Sequence, residues 1–93
     1  MIVIHSDFFC DDFERILDKN IIRRADKAVD KLEAANSIKE VANIKSMQGA
    51  PGFYRLRFGN YRIGFQTIDK DTIVLLAIDR RSVFYRRFPI NFQ

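Results

Sequence analysis

Three arginines, Arg55, Arg57 and Arg62, fall within the stretch FYRLRFGNYRIGF that runs from Phe53 to Phe65. Guanidinium forks match the geometry of phosphate oxygens and stay charged near neutral pH. The chemistry open to such a cluster is therefore the binding of a polyanion, or the stabilisation of charge developing on one. Apolar and charged residues alternate on both sides of Gly59-Asn60, the pattern of two strands joined by a two-residue hairpin turn. Counting outward from the turn sets Phe58 opposite Tyr61, Arg57 opposite Arg62, Leu56 opposite Ile63, Arg55 opposite Gly64 and Tyr54 opposite Phe65. Side chains alternate with period two, so Tyr54, Leu56, Phe58, Tyr61, Ile63 and Phe65 share a core face and the three arginines share the other. Like charges directly opposed on a sheet destabilise it, which points to an anion that offsets Arg57 against Arg62. Gly64 leaves room beside Arg55 for a ligand or a neighbouring group.

A second basic set closes the chain. In DRRSVFYRRFPINFQ, Arg80, Arg81, Arg86 and Arg87 surround Phe84 and Tyr85, and Pro89 follows. Tyr85 between Arg81 and Arg86 suits stacking on a base of single-stranded RNA. Phe84, Phe88 and Phe92 either cover an open end of the core or form an apolar groove for a partner segment. Asp79 is the nearest carboxylate. A two-residue turn at Lys70-Asp71 would set it opposite Arg62 and a three-residue turn would set Ile78 there, so a base, an ion-pair partner and an uninvolved residue all stay open. His5, the single histidine, has no placed partner and reads as structural or merely exposed. Cys10 precedes Asp11 and Asp12, a poor setting for a reactive thiolate.

The elements that position these residues follow from periodicity. Residues 1–5, MIVIH, suit a first strand. Ser6 is a candidate N-cap, and Phe9, Phe13, Ile16 and Leu17 recur at helical spacing over residues 7–18. Asn20 is a candidate cap for a second, amphipathic helix in which Ile21, Ala25, Ala28, Leu32 and Ala35 form the apolar stripe. Its charges nearly balance, which favours packing on the protein's own sheet over a lipid surface. The short link at Asp18-Lys19-Asn20 implies an antiparallel helix pair. Residues 36–52 read as a connection with one helical turn, anchored by Ile38, Val41, Ile44 and Met47. IVLLAI at 73–78 reads as a strand buried on both faces.

The 93 residues carry 16 Lys or Arg against 12 Asp or Glu, a net charge of +4, and 47% are hydrophobic. That composition fits one folded domain over 1–93 and argues against disorder. The excess is uneven. Residues 1–50 hold eight basic and nine acidic residues, a balance of −1; residues 51–93 hold eight and three, a balance of +5. Basicity concentrated around the hairpin points to nucleic acid or another anionic partner. No apolar run approaches a membrane span, and MIVIHSDFF lacks a basic leader and a cleavage site, so a cytoplasmic protein is expected. A single cysteine agrees with that compartment.

The order strand, helix pair, connection and three-stranded meander, with YRLRFGNYRIGF followed by RRSVFYRRFP, resembles the RelE/ParE superfamily of type II toxin–antitoxin toxins. The likeness is strongest to the RelE-like ribosome-dependent mRNA endonucleases and spans essentially the whole chain. It implies an α+β fold: an N-terminal strand and an antiparallel helix hairpin packed on a curved, mainly antiparallel four-stranded sheet, with a short C-terminal helical segment. It also implies mRNA cleavage in the ribosomal A site, without metal or cofactor, by attack of a ribose 2′-hydroxyl on the adjacent phosphate. A cognate antitoxin would wrap the toxin in a hetero-oligomer and block it. By the same resemblance Arg55 and Arg57 match paired basic positions that contact phosphate, and Arg62 the arginine that stabilises the phosphorane. Arg81 matches the arginine near the leaving oxygen, and Tyr85 the aromatic that orients a base. Arg80, Arg86 and Arg87 are expected to bind RNA beside them. Many relatives carry histidine where Arg80 stands, so an acid/base residue that some members use is absent. The alternative on the same fold is a non-enzymatic ParE-like poison of DNA gyrase, or an inactive RNA-binding relative.

Overall fold

A computed structural model describes all of residues 1–93. Five strands form one sheet: β1 (Ile2–His5), β2 (Ile44–Ser46), β3 (Phe53–Phe58), β4 (Tyr61–Asp69) and β5 (Thr72–Arg80). Their order across the sheet is β1-β5-β4-β3-β2. Only the β1–β5 pair is parallel. Helices α1 (Asp7–Glu14) and α2 (Lys19–Ala34) follow β1, and α3 (Arg81–Arg87) follows β5. The α+β architecture is the expected one, with five strands instead of four. The added strand is β2, three residues inside the segment read as a connection; its pairing to β3, Ile44 with Leu56 through Ser46 with Tyr54, comes from the partner strand and not from any pattern of its own.

The hairpin register agrees at every pair, from Phe58–Tyr61 out to Tyr54–Phe65. Gly59 takes the positive φ of 55° that the turn demands. A two-residue turn at Lys70-Asp71 joins β4 to β5, and two bulges interrupt that pair, one between Gly64 and Phe65 and one between Thr67 and Asp69. They lie on opposite strands, Leu76 being the extra residue on β5 and Ile68 on β4, so their register shifts cancel and Arg62 still faces Asp79.

The helix boundaries differ from expectation in two places. Ser6 caps α1 by accepting from the Phe9 amide, as its sequence suggests. The helix closes at Glu14, where the Arg15 and Ile16 amides bond three residues back, and this leaves Leu17 87% exposed instead of in the core. The cap of α2 is Asp18 and not Asn20: the Asp18 carboxylate accepts from the amides of Asn20 and Ile21. A negative charge at that end also favours the helix dipole, which an asparagine would not supply.

Both faces of the sheet are covered. Phe9 of α1 and Ala25, Ala28, Val29 and Leu32 of α2 pack on Leu56, Ile63, Phe65, Ile73, Leu75 and Ile78. Ile38, Val41 and Ile44 close one side of this core, as their spacing suggests. On the opposite face Phe84 and Phe88 lie with Phe53, Leu76, Ala77 and Ala50 in a second, smaller core. The terminal phenylalanines thus cover the sheet. Gly64 makes this possible: a Cβ there would stand 2.7 Å from the Phe88 ring, so the space beside Arg55 is taken by a neighbouring group.

Candidate active site

The second core covers only part of the arginine face, and the end nearest the hairpin turn stays basic. Across that end the register aligns Asn43, Arg57, Arg62 and Asp79 in one row and Lys45, Arg55, Gly64 and Ala77 in the next. Arg57 is exposed and Arg55 half-buried, whereas Arg62 retains only 7% exposure. Its Nη1 donates to the carbonyls of Gly59 and Tyr61, clamping the turn, and it makes no ion pair. Its buried Nε has no hydrogen-bond partner. A buried guanidinium held by neutral carbonyls alone keeps its full charge for an incoming anion.

Asp79 does not neutralise Arg62, although it faces it. One carboxylate oxygen accepts from the Arg80 amide at 2.8 Å and the other from Arg87 Nη1 at 3.0 Å. Of the three roles open in the sequence, Asp79 takes that of an arginine's ion-pair partner. Arg87 also donates through Nη2 to both oxygens of Asp12, at 3.0 and 3.1 Å. Burial alone would lower the Arg87 pKa, but the hydrogen bonds and charges of Asp12 and Asp79 outweigh it and hold the group above the ordinary arginine value. Arg87 is thus paired with two carboxylates while staying partly exposed.

Helix α3 brings the C-terminal residues to the same end of the sheet. The Arg81 amide donates to the Asn60 carbonyl at 2.8 Å, so the helix begins at the hairpin turn. Arg81 and Tyr85 are four residues apart, one helical turn, and both are exposed; Tyr85 stands edge-on to buried Phe84 with its centroid 5.1 Å away. Arg86 is exposed beside them. Arg80 is placed otherwise. It pairs in register with Tyr61, a residue of the helix-side face, and borders a hollow with Asp12, Arg15 and Asp18. Arg57 and Arg62 thus flank the hairpin turn with Arg55 in the next row, Arg81 starts the helix that is bonded to that turn, and Tyr85 follows one helical turn on; Arg87 reaches the same row through Asp79, whereas Arg80 lies on the helix side. His5 sits edge-on to Phe9 in the cleft between α1 and α2. No group of three His, Cys, Asp or Glu side chains is placed to hold a metal ion.

One residue of the site has no signal in the sequence. Asn43 takes φ +67°, and its carbonyl accepts both the Arg57 amide at 3.0 Å and Arg55 Nη1 at 2.8 Å. Its side-chain oxygen accepts from Arg57 Nη2 at 3.3 Å. It fixes two arginines from a position that lies in a connection until β2 pairs with β3. The clue available was a lone asparagine, a residue type that tolerates this conformation.

A family model described as the ParE toxin of type II toxin–antitoxin systems matches residues 3–84. The chain belongs to this toxin family. The toxin is similar to Toxin RelE3 of Methanocaldococcus jannaschii, with 30% identity over 90 residues, 96% of this chain and 100% of that one. Its fold matches a chain of the RelB-RelE antitoxin-toxin complex from Methanococcus jannaschii at a TM-score of 0.76 and 28% identity, covering 92% and 99% of the two chains. A chain of the archaeal RelE-RelB complex from Pyrococcus horikoshii OT3 shares the fold at a TM-score of 0.67 and 22% identity, covering 86% and 93%. The RelE/ParE resemblance of the sequence and the toxin–antitoxin assignment thus hold.

Proposed function

We propose that the toxin is an endoribonuclease that cuts mRNA in the ribosomal A site and so arrests translation. The observation that carries this is Arg62, buried and without an ion pair, opposite Arg57 beside the hairpin turn, with the helix that bears exposed Arg81 and Tyr85 starting from that same turn. Attack of a 2′-hydroxyl on its neighbouring phosphate builds a doubly charged phosphorane, and preorganised donors are worth most where such charge develops. Arg62 faces that charge with a guanidinium that no carboxylate offsets, Arg55 and Arg57 grip the flanking phosphates, Arg81 stands by the leaving oxygen, and Tyr85 stacks on a base. The proton of the 2′-hydroxyl needs another acceptor, because guanidinium groups do not accept protons near neutral pH. Asp79 is held by Arg87. Water or ribosomal RNA then supplies the base, which accounts for a need for the ribosome. A cognate antitoxin that covers this basic surface is the partner we infer, acidic or amphipathic in character.

The test is cleavage of an mRNA on programmed ribosomes by the purified toxin beside its Arg62→Ala and Arg57→Ala variants. Wild type should cut in the A site, and Arg62→Ala should be at least about tenfold slower, a loss of about 1.4 kcal/mol in transition-state stabilisation. Arg57 is exposed and clamps no turn, so its variant separates lost chemistry from a loosened hairpin. An intact message with folded, ribosome-bound toxin would overturn the reading. The second reading, poisoning of DNA gyrase, has the matched ParE family model in its favour. Induction in cells distinguishes them: translation stops first for the nuclease, DNA replication for the gyrase poison.

A further inference from the structure

The charges of α2 balance along the sequence, but the fold sorts them by side. Asp26, Asp30 and Glu33 line the cleft that α2 forms with α1, alongside Glu14 of α1. Arg24, Lys27 and Lys31 line a different groove, of about 440 Å³, between α2 and the β2–β3 edge. All three basic residues are exposed and none is in an ion pair, so their charge is uncompensated on that side. The Arg24 guanidinium lies over the Phe58 ring, 5.8 Å from its centroid, and against Gly59, where a Cβ would come within 2.8 Å of its Nη1. That glycine has two reasons to be there: the turn and the space for Arg24. Arg57 borders the same groove, which therefore opens onto the arginine cluster across the hairpin turn.

We propose that this groove is a second RNA site, holding the phosphate backbone where it leaves the arginine cluster and passes over the turn. The floor favours a polyanion over an amphipathic protein segment. Ala28 and Leu56 keep only 7% and 4% exposure and Arg24 lies across Phe58, so apart from Val41 and Ala42 the groove presents mainly the three cations and Arg57 to a ligand. The basic row from Arg24 to Lys31 extends about 10 Å along the helix, long enough to follow a strand beyond a single phosphate. Its ligand is RNA phosphate, whether of a single-stranded message or of folded RNA. The inference takes its ligand class from the nuclease reading but is tested by binding instead of cleavage.

The experiment measures affinity against salt for a short unstructured RNA and, separately, for an RNA hairpin, using wild type and the double variant Lys27→Ala/Lys31→Ala. Removing one phosphate-binding charge should flatten the slope of log K against log salt by about 0.7 for the unstructured RNA and about 0.9 for the duplex hairpin, so the double variant should flatten it by about 1.4 or 1.8 with an unchanged melting curve. A change with the unstructured RNA places the message in the groove, and a change with the hairpin alone places folded RNA there; both uphold the proposal. Unchanged affinity and slope for both RNAs overturns it. So does a defect confined to binding of a co-purifying acidic protein, which would make the groove a protein interface. A toxin that binds through Lys27 and Lys31 but cuts nothing would uphold this site while overturning the nuclease; one that cuts and binds RNA unchanged would do the reverse.

Discussion

Arg62 and Arg87 both lie on the face that the hairpin presents opposite α1 and α2, yet one meets only backbone carbonyls and the other two carboxylates. Desolvated charge without a counterion is unfavourable unless a ligand supplies it, so of the two Arg62 is the one whose burial an anion would offset. Tyr85 is exposed beside Arg81 and Arg86 and is free to stack. Tyr85→Ala should weaken binding of a short single-stranded RNA by about 1–3 kcal/mol, whereas Tyr85→Phe should retain most of it, because the ring and not the hydroxyl stacks on the base. Fluorescence anisotropy at fixed salt measures both, and equal losses from the two variants would assign the role to the hydroxyl.

At the scale of the element, α3 is held to the sheet by three devices: the Arg81 amide on Asn60, Arg87 on Asp79, and the Phe84–Phe88 pair, of which Phe88 lies over Gly64. Gly64→Ala would drive a methyl into the Phe88 ring. Overpacking of this kind costs about 1–3 kcal/mol, and moving Phe88 shifts the helix that carries Arg81 and Tyr85. The variant should melt earlier and cut more slowly, with a larger effect than Gly49→Ala, where a Cβ would meet nothing within 4 Å and only the positive φ opposes it. Parallel thermal melts and single-turnover cleavage assays check this; equal behaviour of the two variants would show that Phe88 yields freely.

Across the whole molecule, Asp12 ties three elements together. Strand β1 pairs with β5 only as far as His5 opposite Leu75, so the Ile78 amide has no partner in that ladder. Asp12 of α1 accepts it at 3.1 Å and also holds Arg87 of α3. Asp12→Ala would leave a buried amide unsatisfied and leave Arg87 with Asp79 as its one carboxylate, and a loss of about 2–3 kcal/mol is expected in denaturant titration. Asp12→Asn, which keeps an acceptor, should lose less. The Arg87 pKa is raised, so its contribution is fully present below the ordinary arginine value and fades only as pH climbs past it. Stability between about pH 6 and 9 should therefore show no step from this group.

Short-range rules account for everything that could be read from the chain alone. Alternation about Gly59-Asn60 fixed the hairpin register to the residue and put the three arginines on one face, because a tight turn leaves no freedom in how the strands align. The apolar stripe fixed α2, and Ser6 fixed the start of α1. Whatever depends on residues far apart in the chain had to wait for the folded molecule. Strand β2 exists because β3 offers it an edge, and Asn43 orients Arg55 and Arg57 only once that edge is filled. Asp79 reaches its place opposite Arg62 through two bulges that cancel, and then turns to Arg87, which lies near it only because α3 folds back over Gly64. Helical spacing already puts the acids and the bases of α2 on different sides; only the fold decides that the acids line the cleft with α1 and the bases the groove beside β3. Spacing places a side chain on a face; which charge meets it there is settled by the elements that arrive from elsewhere in the chain.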